Sequence, residues 1–209
     1  MKKIPATIDK KFLILTALLA SVGFFVFTSA SFGLFARKGF SLQDLLFGQV
    51  VFGLFLGIAI AAWVALKLNI KILQTNALYI FIGSCFFTLL VFAPYIGFTH
   101  GGASRWITLG SISIQPSEFL KLGTIIYFAA LLPLFKERIG TIKYVLIVTG
   151  GILFFPAAIL LSQPDTGTFA VLLFAIIAML LASGMKIRHL IVLVLLSVVF
   201  VASLAMIRP

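Results

Sequence analysis

Tyr144-Val-Leu-Ile-Val-Thr-Gly-Gly-Ile-Leu-Phe-Phe-Pro-Ala-Ala-Ile-Leu-Leu-Ser162 contains no charged side chain. Its length is close to the roughly 20 residues a helix needs to cross the hydrocarbon core of a bilayer. The same pattern recurs on both sides of it. Apolar runs occupy Phe12–Phe35, Leu45–Leu66, Ala77–Phe98, Ser117–Phe135, Thr168–Ser183 and Leu190–Ile207. The run at Thr168 is short, but starting it at Asp165 gives it a spanning length. The pattern predicts an all-α, polytopic transmembrane helix bundle of about seven spans. Lipid offers no hydrogen-bond partners, so such helices close their backbone bonds within themselves.

Composition agrees. The chain has 209 residues, of which 62% are hydrophobic and 10% charged, and its mean hydropathy is +1.25. A soluble chain carries roughly 25% charged residues. Residues 1–209 read as a single transmembrane domain with no soluble domain, low-complexity tract or tandem repeat. The chain stops at Arg208-Pro209 directly after an apolar run, which reads as the N-terminal portion of a longer protein. The first run follows Lys2, Lys3, Lys10 and Lys11, and is long enough to be a retained helix rather than a cleaved leader. The lone cysteine, Cys85, sits within an apolar run and reads as a small core residue. Gly53-x-x-x-Gly57 is a spacing for close helix packing, and Pro156 predicts a kink in the fifth span.

The net charge of +11 does not indicate nucleic acid, because the basic residues stand at the ends of apolar runs. With the N-terminus in the cytoplasm, the inner segments hold the four N-terminal lysines, Lys67, Lys71, Lys136, Arg138, Lys143, Lys186 and Arg188. The outer segments hold only Arg37, Lys38, Arg105 and Arg208. This asymmetry predicts an N-terminus inside and, after seven crossings, Pro209 outside.

Three stretches carry polar chemistry. Gly101-Gly-Ala-Ser-Arg-Trp-Ile-Thr-Leu-Gly110 places Arg105 beside Trp106 at the membrane interface. Arginine can hold phosphate bidentately and tryptophan can stack on a sugar. Composition alone favours an interfacial belt tryptophan with a snorkelling arginine. Gln115-Pro116-Ser117-Glu118 starts a helix with proline in its first turn, and puts Glu118 and Lys121 on one helical face. Charges inside a span are costly and face a polar interior or a partner, unless both reach interfacial water. Gln163-Pro-Asp-Thr-Gly-Thr168 brings Asp165 to a helix start, where capping by itself explains an aspartate. Topology puts this loop on the same face as Glu118, which predicts one ionic cluster of Glu118, Lys121 and Asp165 with Lys121 between two carboxylates. His100 and His189 fall on opposite faces, so no Ser/His/Asp or Cys/His catalytic set assembles.

At these residues the sequence resembles the SEDS family, that of FtsW, RodA and SpoVE. Gly102-Ala-Ser-Arg-Trp-Ile-Thr-Leu-Gly110 with Gln115-Pro-Ser-Glu-Phe-x-Lys-Leu122 is similar to the family pattern G-A-x-R-W-I-x-L-G…Q-P-S-E-x-x-K-L. Gln163-Pro-Asp-x-Gly-Thr168 resembles its second pattern, and Ala182-Ser-Gly184 continues it. Thr28-Ser-Ala-Ser31 resembles its S-A-S, and Ser41-Leu-Gln-Asp-x-x-x-Gly-Gln49 leans slightly towards the division and sporulation subtypes over RodA. The resemblance implies a ten-helix glycosyltransferase of the bacterial cytoplasmic membrane that polymerises lipid II into peptidoglycan on the outer face, in division or shape maintenance. It implies a class B penicillin-binding protein as partner, and an essential aspartate in an outer loop after the seventh helix, beyond Pro209. Residues 1–209 by themselves are therefore expected not to polymerise. The resemblance marks Arg105, Trp106, Gln115, Ser117, Glu118, Lys121, Asp165 and Thr168 as substrate or cavity positions. The undecaprenyl pyrophosphate leaving group would be met by cationic side chains or a divalent metal, a choice the sequence leaves open. A lipid II flippase and a non-catalytic scaffold for wall enzymes are the competing functions.

Overall fold

The structure, a computed structural model, describes residues 9–35, 49–93, 97–100, 103–109, 112–138 and 140–207. Residues 1–68 form one unit and residues 69–209 another. The start of the second expected span at Leu45 lies outside the described residues, as do Arg37, Lys38, most of the Ser41–Gln49 motif, Gly101, Gly102, Gly110, Arg208 and Pro209.

In the first unit, helix α1 spans Lys10–Phe35. Asp9 starts it, with Oδ1 accepting from the backbone N–H groups of Lys11 (3.0 Å) and Phe12 (3.1 Å). That satisfies two donors that the first turn leaves without helical partners. The hydroxyls of Thr16, Ser21 and Thr28 each donate to the carbonyl four residues back, at 2.8 Å. Polar side chains are thereby satisfied inside their own helix, as an apolar solvent requires. Helix α2, Leu56–Lys67, is entered through a π-helical turn at Gln49–Phe55. No described side chain of α1 or α2 is buried. A Cβ on Gly57 would meet nothing within 4 Å, so the Gly53/Gly57 pair makes no close helix contact at Gly57.

The second unit begins with the short helix α3, Ile70–Thr75, capped by the Asn69 side chain. Helix α4 is Ala77–Leu89 and ends in a 3₁₀ turn, Leu90–Phe92. Strands β1 (Gly97–His100), β2 (Ala103–Leu109) and β3 (Ile112–Ile114) follow. Helix α5 covers Pro116–Leu131 and tightens into a 3₁₀ segment, Leu132–Arg138. The change falls at Pro133, which has no N–H to continue the α-helical ladder. Helices α6 (Ile142–Ser162), α7 (Thr166–Ala182) and α8 (Ile187–Ile207) complete the described chain.

Each of the seven expected spans coincides with an apolar helix, and the protein is a multi-pass membrane protein. Among the described residues, Lys10–Ala30, Pro116–Phe135 and Ile142–Ser162 are long and apolar enough to cross a membrane unaided, and the other four apolar helices are shorter. The third expected span overruns: the helix ends by Phe92, and Gly97–His100 is a strand. Pro94 and Gly97 supply the physical reason, since neither favours continuing a helix. Helix α6 runs unbroken through the buried Pro156.

Helix α5 is central to this unit. Leu120 and Phe128 on α5 join Val145, Ile152 and Leu160 of α6, Leu172, Ile176 and Leu180 of α7, and Leu190 and Leu193 of α8 in one core. Cys85 packs against that core, half-buried. Helices α4 and α5 approach closely at Gly123. A Cβ there would strike the Ser84 hydroxyl and lie 2.9 Å from Ser84 Cβ and 3.2 Å from the Ile80 carbonyl oxygen. A small residue at such a crossing lets backbones meet.

The three strands form an antiparallel sheet in the order β1-β2-β3, which the all-helical expectation did not include. It lies against the 3₁₀ turn after α4 and the start of α5. Gly97 marks the tightest point, because any Cβ there would collide with the Val91 carbonyl. The pairing of β1 with β2 is irregular. Phe98 opposes Trp106 and Thr99 opposes Ser104, which leaves Arg105 as the extra residue of a β-bulge.

Candidate functional site

Helices α4, α5, α6 and α7 bring polar groups together at the end that carries the sheet. Gln115 precedes α5 in an extended conformation and makes no side-chain cap bond, and Pro116 occupies the first helical turn as expected. Ser117 is buried, at 1% exposure. Glu118 and Lys121 pair at 2.8 Å between Oε1 and Nζ, with side-chain exposures of 55% and 21%. This pair sits on the rim of the bundle.

Gln163 lies deeper, at 1% exposure, just beyond the end of α6. Its Nε2 donates to the Thr88 carbonyl at 3.1 Å. The Thr88 hydroxyl donates to the Ser84 carbonyl at 2.7 Å and has the Pro116 carbonyl at 3.3 Å. One threonine thus ties the end of α4 to the start of α5 and to the α6–α7 turn. Asp165, at 4% exposure, caps α7, its Oδ1 accepting from the Thr168 backbone N–H at 3.3 Å. Buried charge needs a counter-charge or donors, and Arg105 supplies the former: its Nη1 stands 4.0 Å from Asp165 Oδ1. The same guanidinium donates through Nη2 to the Pro164 carbonyl and through Nε to the Gln163 carbonyl, at 3.5 Å.

The expected three-member cluster does not form. Lys121 pairs with its helical neighbour Glu118, and Asp165 pairs with Arg105; among the described residues there is no ion pair between Lys121 and Asp165. Helical spacing makes the first pair local, whereas the second joins positions far apart in the chain. Trp106 stands beside the clasping arginine at 39% exposure, and Thr168 is buried at 9%. Thr88 was not singled out from the sequence. A threonine inside an apolar helix was its only signal, and most such residues bond their own backbone, as Thr16 does.

Three oxygens in this region are buried without a protein partner: Ser117 Oγ, Gln163 Oε1 and Asp165 Oδ2. Two are acceptors and one is a hydroxyl, so the region is suited to groups that donate hydrogen bonds, such as hydroxyls or water. Among the described residues no group of three or more His, Cys, Asp or Glu offers a metal site. His189 lies at the start of α8, with Nδ1 buried and unpartnered, and is not part of this region.

A family model of cell cycle proteins, that of FtsW, RodA and SpoVE, matches residues 9–209. A probable peptidoglycan glycosyltransferase FtsW of Coxiella burnetii is 34% identical over 206 residues, covering 96% of this chain and 54% of the relative. Stage V sporulation protein E of Bacillus subtilis is 30% identical over 182 residues, covering 87% of this chain and 49% of the relative. The chain spans about half the length of these curated relatives. The crystal structure of the rod shape determining protein RodA of Thermus thermophilus superposes with a TM-score of 0.70 at 23% identity, covering 98% of this chain and 61% of that one. That likeness is one of fold.

Proposed function

The chain belongs to the FtsW/RodA/SpoVE family, and from that premise we propose that it is part of a peptidoglycan glycosyltransferase that polymerises lipid II on the outer face of the bacterial cytoplasmic membrane. One observation in this chain carries the reading: Ser117, Gln163 and Asp165 are each at least 95% buried at one end of a largely apolar bundle. Polar groups held inside a membrane bundle are expensive, and they mark substrate paths by default. The family relatives bear the name of the reaction.

In the proposed reaction the C4 hydroxyl of one lipid-linked sugar attacks the anomeric carbon of another. The new glycosidic bond replaces the bond to undecaprenyl pyrophosphate, which leaves with its electron pair, and the hydroxyl passes its proton to a general base, the role this reading gives to the outer-loop aspartate that the family resemblance implies. The residues described here bind and orient. Trp106, partly exposed, offers an aromatic face and Lys121 offers a cation near the pyrophosphate, while the buried Ser117, Gln163 and Asp165 shape the polar end beneath them. A class B penicillin-binding protein that crosslinks the strands is the proposed partner. All of these residues share one membrane domain in this reading. Its N-terminus is placed in the cytoplasm, as the Lys/Arg asymmetry directs.

The test is polymerisation of fluorescent lipid II by the purified full-length protein in liposomes. Long glycan strands on a gel are expected. Movement of lipid II between leaflets without strands would replace this reading with a flippase, the function that the Glu118–Lys121 pair inside a span also suits. Reporter fusions at Lys71 and Pro209 test the orientation, with Lys71 expected inside and Pro209 outside.

A further inference from the structure

Arg105 occupies a bulge in β2, the one place among the described residues of the sheet where a residue is released from pairing, and a bulge re-aims the side chain it carries. The guanidinium reaches the turn between α6 and α7, more than fifty residues away in sequence. There all three of its nitrogens meet oxygen: Nε the Gln163 carbonyl, Nη2 the Pro164 carbonyl and Nη1 the Asp165 carboxylate. The receiving turn is itself anchored, because the Gln163 amide holds Thr88 on α4 and the Asp165 carboxylate caps α7. A phosphate approaching this guanidinium would meet two carbonyls and a carboxylate already in place.

We propose that Arg105 is a positioning residue: it clasps the three-stranded sheet to the α6–α7 turn, and so sets the place of Trp106, rather than binding a substrate phosphate itself. The residue type fits. A planar fork with fixed donor directions can face three separate oxygens at once, two by hydrogen bonds and one as an ion pair, whereas an ammonium is a compact point charge that reaches fewer. Lysine is nevertheless a good phosphate binder. Arg105→Lys therefore separates the two roles, because it breaks a clasp and preserves an anion site. The inference builds on the proposed function only in saying what the sheet borders, and its test needs no lipid substrate.

The experiment is hydrogen exchange by mass spectrometry on the full-length protein in nanodiscs without substrate. It compares wild type with Arg105→Lys, Arg105→Ala and Asp165→Asn. Amides of residues 97–109 are expected to exchange about tenfold faster or more in Arg105→Lys and Arg105→Ala, the loss of at least one charge-assisted hydrogen bond. Peptides from α8 should be unchanged. Asp165→Asn keeps an oxygen to cap α7, and should accelerate the same amides less. With every other tryptophan of the full-length protein, Trp63 included, replaced by Phe, Trp106 emission should shift to the red and become easier to quench with acrylamide in Arg105→Lys. A general loss of packing would instead accelerate α8 as well. Sheet exchange within about twofold of wild type in Arg105→Lys, with Trp106 emission unmoved, would overturn the clasp; that result is the signature of an arginine held for phosphate alone.

Discussion

Residues 1–68 and 69–209 are built from equally apolar sequence, yet they use it differently. In α1 the hydroxyls of Thr16, Ser21 and Thr28 fold back onto their own helix, and side chains such as Phe12, Leu19 and Phe25 are more than 70% exposed. In the second unit the Thr88 hydroxyl and the Gln163 amide cross between helices, and Leu120, Leu160, Leu172 and Ile176 are fully buried. Apolarity alone therefore says that a segment sits in lipid, not which of its faces meets protein. Where polar groups leave their own helix, the helices are packed.

Substitutions that treat the two units alike should expose the contrast. Leu160→Ala, at a site with no exposure, should cost about 2–5 kcal/mol through lost contacts and a residual cavity. Leu18→Ala, 58% exposed on α1, should fall within about 0.5 kcal/mol of wild type. Thermal unfolding in detergent measures both, and equal effects would break the comparison. Gly123→Ala comes next. Its Cβ would force α4 and α5 apart, at about 1–3 kcal/mol, while Gly57→Ala in α2 has open space and should be neutral or slightly stabilising. A small effect is expected for Lys121→Met. Glu118 is more than half exposed, so a rim pair of this kind contributes less than about 1 kcal/mol. A larger loss of stability in Lys121→Met would show that the pair is more deeply desolvated than its exposure indicates.

Much of this was legible in the sequence. Long apolar runs, one of them carrying Glu118 and Lys121, gave seven of the eight described α-helices and missed only the short α3; Pro116 and Asp165 gave two helix starts, and Glu118 and Lys121 gave a pair, because each follows from spacing within one segment. What failed was non-local. The stretch Gly97–Ile114 read as the end of a helix and a loop, since short strands with glycine at their turns carry a weak period-two signal beside long apolar runs. Lys121 is expected to serve both Glu118 and Asp165; the Glu118 half holds, and Asp165 pairs with Arg105 instead. No spacing rule shows that a bulge would send Arg105 across to the same aspartate. Nor does any local signal separate Thr88, which links three helices, from Thr16, which links none.

The bond from Gln163 to Thr88 also bears on biosynthesis. Its two ends are 75 residues apart in the chain. At about 5–20 residues per second, roughly 4–15 s of translation separate them. During that interval α5 and α6 follow α4 out of the ribosome, while the amide that will join α4 to the α6–α7 turn is not yet made. The second unit can therefore close its polar end only after α6, the fifth span of the chain, and the turn beyond it have left the ribosome. Until then the insertion machinery and the surrounding lipid hold a half-tied bundle.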